Sequence, residues 1–554
     1  MQMIRIQDQS IDTDVLVIGS GAAGLRAAIE AKKLGATVVL LSEARAGTRN
    51  NTVISKGTIA VSGIWKGGAD RPEIHHKDTI EAGRYLNENR LVEIMTVEAG
   101  NQADDLRRFG AKFRKEHDQL SVRHFPGHEY PRHLSAQDFK GIHIIWPMRT
   151  YARNQGIHFM ENVFVTKLLS AGGVLAGAMG LDRDGRGIIF KSKSTLLATG
   201  GAGEIFLRTN NSRGMTGDGY AMAYEAGATL GDMEFVQFYP TAGGKNGAKL
   251  YSYERYLPKG VILRNIHGDD ILARNGISKL SSATRDLLTR TIMMEMDAGN
   301  GVEGRVIFDF SSLRQEDAQE LDRHASALRD GHSREILVAP TAHYFMGGIL
   351  INENGETGIE GLYAAGEVSG GIHGANRLGG NSLIEAFVFG AIAGRSAALR
   401  ARETGNPSIP RSEISAETDR INEIGSGEGD VDLEEIEQSL KQVNWDHIGI
   451  IRNKNGLGKA REEILSLKKM MESARIIDCG ELRRAIKLKN MLTVSEMVGK
   501  SASDRTESRG AHFRTDYPQE DDAEWRARLE ISLQKGRMTV KKTPVNVRSA
   551  FISR

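Results

Sequence analysis

Residues 14–43 read DVLVIGSGAAGLRAAIEAKKLGATVVLLSE: an apolar run, a glycine turn, a helix-periodic stretch and a second apolar run ending in an acid. This order predicts a βαβ unit. The turn Gly19, Ser20, Gly21, Ala22, Ala23, Gly24 has the spacing that lets backbone approach a pyrophosphate at a helix N-terminus, where free N–H groups and the helix dipole favour an anion. Glu43 follows roughly 20 residues later, the place of an acid that takes ribose hydroxyls and repels a 2′-phosphate. The stretch therefore predicts FAD or NAD rather than NADP. A glycine-rich turn alone would be a weak signal; here the flanking strands and helix come with it.

Working outward, STLLATGGAG at 194–203 and GLYAAGEVSGG at 361–371 are further apolar strands running into glycine turns. The three segments predict one α/β, Rossmann-like dinucleotide-binding domain split by an insertion. The expected division is 1–232 and 339–405 for that domain, 233–338 for the inserted unit, and 406–554 for a charged, helix-patterned C-terminal domain and tail. With 554 residues the chain is long enough for several domains. Its 73 Lys and Arg against 71 Asp and Glu leave no global field to gather nucleic acid. A single cysteine, Cys479, precludes an intrachain disulfide and an iron–sulfur cluster or thiolate zinc site held by this chain alone, and no metal site is expected. The start has no basic-then-apolar leader pattern. The most apolar stretch, NSLIEAFVFGAIAGRSAAL, is interrupted by Glu385 and Arg395, so it is expected to be a buried helix, and the chain is expected to be cytoplasmic.

Further motifs are TGDGYAMAYEAGA (216–228), DMEFVQFYPT (232–241), TRDLL (284–288), PTAHYFMGGI (340–349), GLYAAGEVSGGIHGANRLGGNSLIEA (361–386) and RTESRGAHFRTDYP (505–518). Together they resemble the flavoprotein family of succinate dehydrogenases, fumarate reductases and L-aspartate oxidases, including the thiol:fumarate reductase type, over nearly the whole chain. The resemblance implies an FAD-binding domain, an inserted α+β capping domain, a C-terminal helical domain and a hydride exchanged between FAD and a C=C bond. By resemblance, FAD contacts fall on the Gly19–Gly24 turn, Glu43, Ala198, Thr199, Gly200, Gly201, Asp218, Gly366, Glu367, Ser382 and Leu383.

Saturating an unsaturated dicarboxylate needs cations around the carboxylates and a proton source opposite the hydride. The resemblance assigns Arg377 and His343 to a substrate carboxylate, Arg285 to the proton and Glu254 to its replenishment. Tyr239, Gly127 and His128 are further expected substrate contacts. The chain also departs from the family pattern. Tyr239 and Tyr253 stand where histidine and threonine are usual, and Leu257 replaces a relay arginine, for which Arg255 or Lys259 are candidate substitutes. Asn51 occupies the position that in membrane-bound members is the flavin-linking histidine, so the flavin is expected to be non-covalent. The expected function is a soluble fumarate reductase or succinate dehydrogenase type flavoprotein, fed by an iron–sulfur partner. Two alternatives stay open. One is an L-aspartate oxidase or reductase of another 2-enoate, with Glu129 reading the substrate. The other is a non-enzymatic flavin relay with a decayed substrate site.

Overall fold

The computed structural model describes residues 10–64, 68–277, 284–317, 334–427 and 429–545. Strand β1 (Ile11–Ile18), helix α1 (Ala22–Lys33) and strand β2 (Val38–Ser42) form the βαβ unit that the opening stretch predicts. β1 lies parallel between β2 and Gly187–Leu197, with Val15 opposite Val38 and Ser194, and Ile18 opposite Leu41 and Leu197. Covered on both faces, Val15–Ile18 and Val38–Leu41 are continuously apolar rather than alternating. The sheet runs His158–Glu161, β2, β1, Gly187–Leu197, Val174–Leu181, Phe164–Ala171, and Leu362–Ala364 joins parallel to Thr195–Leu197. The three strand-to-glycine segments are thus neighbours with their C-terminal ends together, where open parallel sheets bind ligands.

Local packing explains why the turn is glycine. A Cβ on Gly19 would lie 2.1 Å from Ala198 O, so no other residue lets the turn cross the neighbouring strand end. Helix Asn381–Glu403 lies against α1, and a Cβ on Gly394 would lie 2.3 Å from Ala27 O. This is the helix that passes for a membrane span by length and composition, yet two-thirds of its most apolar window is buried inside the protein.

The inserted segment builds a second sheet in the order Lys249–Leu250, Val236–Gly243, Glu335–Phe345, Val306–Asp309, Ile262–Arg264. Helix Arg285–Asp297 packs on its central strands. Glu335–Phe345 runs unbroken through position 338/339, so a single strand carries His343 from the inserted sheet toward the dinucleotide domain. Helices Arg411–Gly425, Leu433–His447, Lys454–Met470 and Cys479–Asp504 follow. The tail then forms a hairpin, Ala527–Gln534 with Arg537–Pro544, that returns to pair with Leu230–Gly231. The 505–518 motif anchors this return. Arg505 Nε donates to Glu234 at 2.6 Å, and Glu507 accepts from Arg505 at 3.0 Å and from Arg509 at 2.8 Å, with all these side chains buried. That motif is a buried ionic clamp.

Candidate active site

One cavity of about 740 Å³ opens at the strand ends and extends to the inserted sheet. Its size falls within the range of cofactor and ligand sites. At the dinucleotide end the wall is Gly19 to Ala23, Glu43, Ala198 to Gly200, Asp218, Gly366, Glu367, Ser382 and Leu383. Two of the expected cofactor positions stand just behind it. Gly24 seats α1 on the turn, where a Cβ would lie 2.0 Å from Gly19 O. A Cβ on Gly201 would lie 2.2 Å from Glu367 Oε1. Ser20 Oγ bonds Ser42 Oγ at 2.8 Å and accepts from Gly47 N, pinning the turn to the end of β2. Two groups in this wall, Asn50 Nδ2 and Thr199 Oγ1, are buried without a hydrogen-bond partner among the described residues. Buried polar groups are seldom left unpaired, so donors of this kind inside a glycine-lined cradle fit a bound dinucleotide.

The C-terminal helix Cys479–Asp504 reaches over the same end, which sequence reasoning missed. Lys487 pairs with Glu43, and Asn490 Nδ2 donates to Asp218 at 2.7 Å. Burial pushes the Asp218 carboxyl upward, against the pull of Lys487 and Asn490. Asn51 is fully engaged: Nδ2 donates to Asn211 Oδ1 and Glu367 Oε2, each at 3.2 Å, and Oδ1 accepts from Ser212 N at 2.9 Å. Glu367, buried against this amide, is pushed up to about 7 by burial.

At the other end the predicted catalytic residues converge. Arg377 is 5% exposed, lies 4.5 Å over the Tyr344 ring, and donates to Leu378 O at 3.1 Å and Ser382 Oγ at 3.3 Å. Among the described residues its Nε is buried without a hydrogen-bond partner. The Gln237 side chain, absent from the sequence expectations, joins the two arginines. Its Oε1 accepts from Arg377 Nη2 at 2.9 Å and from Arg285 Nη1 at 3.1 Å. Its Nε2 donates to Asn376 Oδ1 and Arg377 O, so the amide orientation is fixed. The available signal was alternation, since Gln237 and Tyr239 sit two apart on one strand. Burial and Arg285 pull the Arg377 guanidinium down to about 10.

Arg285, at the first turn of its helix, donates from Nη2 to Glu254 Oε1 at 3.1 Å. Burial opposes its charge, but Glu254, Tyr253 and Tyr239 outweigh burial and hold the guanidinium above its usual value. The two tyrosine departures form its seat. Arg285 lies 5.2 Å over the Tyr239 ring, Tyr239 packs 5.7 Å from Tyr253, and the Tyr239 hydroxyl donates to Glu254 Oε2 at 2.7 Å. That hydroxyl, expected to meet substrate, is committed to Glu254. His343 bonds Asn210 Oδ1 through Nδ1 at 3.1 Å. Burial, then Arg377, Arg285 and Lys56, push it well below its usual value, so it is a neutral imidazole and not a third cation.

Several expected contacts stand elsewhere. Gly127 and His128 do not reach the cavity wall: His128 is buried behind the loop, its Nε2 donating to Gly379 O at 3.0 Å while Nδ1 accepts from Arg132. It supports the Arg377 loop from behind. Glu129 is half exposed and faces Lys77 at 3.9 Å. Leu257 is buried in the apolar core of the inserted unit, and Lys259 pairs with Asp317, which leaves neither beside Arg285. Arg255 lines the cavity. Lys56, also unforeseen, lines it too and donates to Ser252 Oγ.

Residues 14–383 match the family described as an FAD binding domain, and residues 437–552 match the one described as fumarate reductase flavoprotein C-terminal region. An uncharacterized FAD-dependent oxidoreductase of Methanocaldococcus jannaschii is 37% identical, covering 94% of this chain and 97% of its own. A fumarate reductase (CoM/CoB) polypeptide of Methanothermobacter marburgensis is 36% identical over 95% of this chain and 98% of its own. Among solved structures, the E. coli quinol fumarate reductase FrdA chain superposes with a TM-score of 0.89 at 29% identity, covering 97% of both chains. Mycobacterium smegmatis Sdh1 superposes at 0.87 with 32% identity, covering 97% of this chain and 95% of that one.

Proposed function

Since the chain belongs to the fumarate reductase and succinate dehydrogenase flavoprotein family and is an FAD-dependent oxidoreductase acting on CH–CH bonds, we propose that it reduces the C=C bond of an unsaturated dicarboxylate such as fumarate. The observation that carries the reading is the shared acceptor: Gln237 Oε1 holds Arg377 and Arg285 on one wall of the cofactor cavity, with Glu254 directly behind Arg285.

FAD, when bound, supplies the hydride that adds to one olefinic carbon. Arg377 and neutral His343 hold and polarise the adjoining carboxylate, and the unpartnered Arg377 Nε is the spare donor for it. As negative charge grows on the substrate, Arg285 passes a guanidinium proton to the other carbon. Alone, an arginine is a reluctant acid. Glu254 at 3.1 Å makes the transfer workable, because its carboxyl returns a proton to the guanidine, and the Tyr239 hydroxyl on its second oxygen keeps it turned toward Arg285. One hydride and one proton convert fumarate to succinate.

In this reading FAD is non-covalent, since Asn51 cannot form a histidyl link and is already occupied by three protein contacts. The chain's single cysteine leaves cluster chemistry to an iron–sulfur partner protein, the source we assign for electrons. The burial of Asn381–Glu403, the one helix among the described residues that is long and apolar enough to cross a membrane, is in keeping with a cytoplasmic protein.

The test is Arg285→Gln and Arg285→Lys in holoprotein supplied with electrons by reduced viologen. Loss of a general acid should lower fumarate turnover by about 100- to 10,000-fold while bound FAD and its spectrum stay unchanged. Turnover within about threefold of the parent would refute the assignment of the proton.

A further inference from the structure

Beyond Arg285 the cavity continues along a wall made of Lys56, Arg123, Ser252 and Arg255. Lys56 is unlike the other cations of the site. It is exposed to the cavity, and among the described residues it forms no ion pair and has one hydrogen-bond partner, Ser252 Oγ. An ammonium carries three donors, so two remain for a ligand. Its backbone position is set from both sides. It follows the short helix Asn51–Ile54, whose Asn51 is tied to Glu367, and precedes Gly57, where a Cβ would lie 2.5 Å from the Ala136 side chain.

The two tyrosines around Arg285 offer no free donor for a second anionic group. The Tyr239 hydroxyl is spent on Glu254, and Tyr253 hydrogen-bonds Arg285. A substrate held at one end by Arg377 and His343 therefore has Lys56 as a further cationic donor in the same cavity. Lys56, Arg123, Arg255 and Arg285 line the cavity together, with Glu254 as the counter-charge on Arg285, so an anion entering among them is electrostatically favoured. Desolvation and these guanidinium groups pull the Lys56 ammonium below its usual value, Glu254 acting in the other direction.

We infer that Lys56 is a specificity-determining residue that, with Ser252 beside it, receives the anionic group at the far end of the substrate, so that the site selects dianions over monoanions. The inference rests on the proposed function and narrows it: a 2-enoate with an uncharged tail would bring Lys56 no counter-charge.

The test compares Lys56→Met, which keeps the stem and removes the charge, with Lys56→Arg, which keeps the charge. Both are purified with FAD bound. Dissociation constants for fumarate and for its monomethyl ester come from perturbation of the oxidised flavin absorbance, and KM and kcat from reduced-viologen turnover. Loss of a charge-assisted donor pair predicts fumarate binding weaker by about 10- to 100-fold in Lys56→Met, the monoester changed by less than about twofold, and kcat little altered. Lys56→Arg should recover fumarate binding to within about fivefold of the parent. Equal weakening for both ligands would overturn the inference, as would unchanged fumarate binding with a shifted flavin spectrum, which would make Lys56 a partner of the flavin. A parent protein inert to fumarate and every other unsaturated acid would instead bring down the reading beneath it.

Discussion

Replacing Gln237 with Glu turns the shared acceptor of the two arginines into a resident anion of almost the same shape. In the native protein one neutral oxygen lies 2.9 Å from Arg377 Nη2 and 3.1 Å from Arg285 Nη1, and the residue is 1% exposed. A carboxylate there gains about 5 kcal/mol of gross attraction to each guanidinium at an effective permittivity of about 20. Desolvating the new charge, several kcal/mol, consumes most of that, and losing the Nε2 donations to Asn376 and Arg377 O costs another 1–3 kcal/mol or so. The fold should therefore stand, with both cations already satisfied. An incoming substrate carboxylate must then compete with an internal one, and a net penalty of about 2–3 kcal/mol corresponds to roughly 30- to 150-fold weaker binding. The assay is titration of the oxidised holoprotein with fumarate and succinate, followed by flavin absorbance, alongside FAD content and turnover. Fumarate binding equal to or tighter than that of the parent would refute the view that Arg377 and Arg285 act as one clamp.

Other outcomes follow from the same structure. Acid precipitation of the purified protein should leave all of its flavin in the supernatant, because Asn51 offers no covalent link; flavin retained in the pellet would contradict this. Glu367 has a folded value near 7 against an ordinary carboxyl near 4.5. Its contribution to stability is therefore full below the unfolded value and is lost as pH rises through about 7, on the order of 3 kcal/mol. Urea unfolding between these limits should show the decline, and Glu367→Gln should flatten it; an unchanged slope would count against the assignment. Glu507→Ala removes the buried carboxylate shared by Arg505 and Arg509, leaving each with one close partner, Glu234 and Asp522, and should lower unfolding free energy by about 3–5 kcal/mol without changing fumarate affinity in the folded fraction. A loss below about 1 kcal/mol would show that the clamp is not needed.

What could be read from the chain was local. The βαβ unit is legible because strand, turn and helix follow one another within 14–43, and the buried helix Asn381–Glu403 because its apolar run is interrupted by Glu385 and Arg395. The C-terminal hairpin was hidden: Ile531 pairs with Leu230, far away in the chain, and nothing local in either segment announces the other. The same division holds in the site. Arg285, His343 and Arg377 sit inside distinctive motifs, and the structure brings all three to one cavity. His128 has an equally suggestive neighbourhood, yet its ring faces the back of the Gly379 carbonyl, an orientation that only tertiary packing determines. Tyr239 and Tyr253 look like losses when compared position by position with the family pattern. In three dimensions they enclose Arg285 and Glu254. Lys56, Gln237 and Lys487 owe their places to contacts across long stretches of chain, with Ser252, Arg285 and Glu43 respectively.

The most direct measurement is anaerobic mixing of the dithionite-reduced, FAD-loaded protein, freed of excess reductant, with fumarate. The account predicts that the flavin colour returns at a rate that saturates with fumarate concentration, and that one succinate forms for each flavin reoxidised. A flavin that stays bleached with fumarate and with every other unsaturated acid, while oxygen or a viologen dye still reoxidises it, would contradict it.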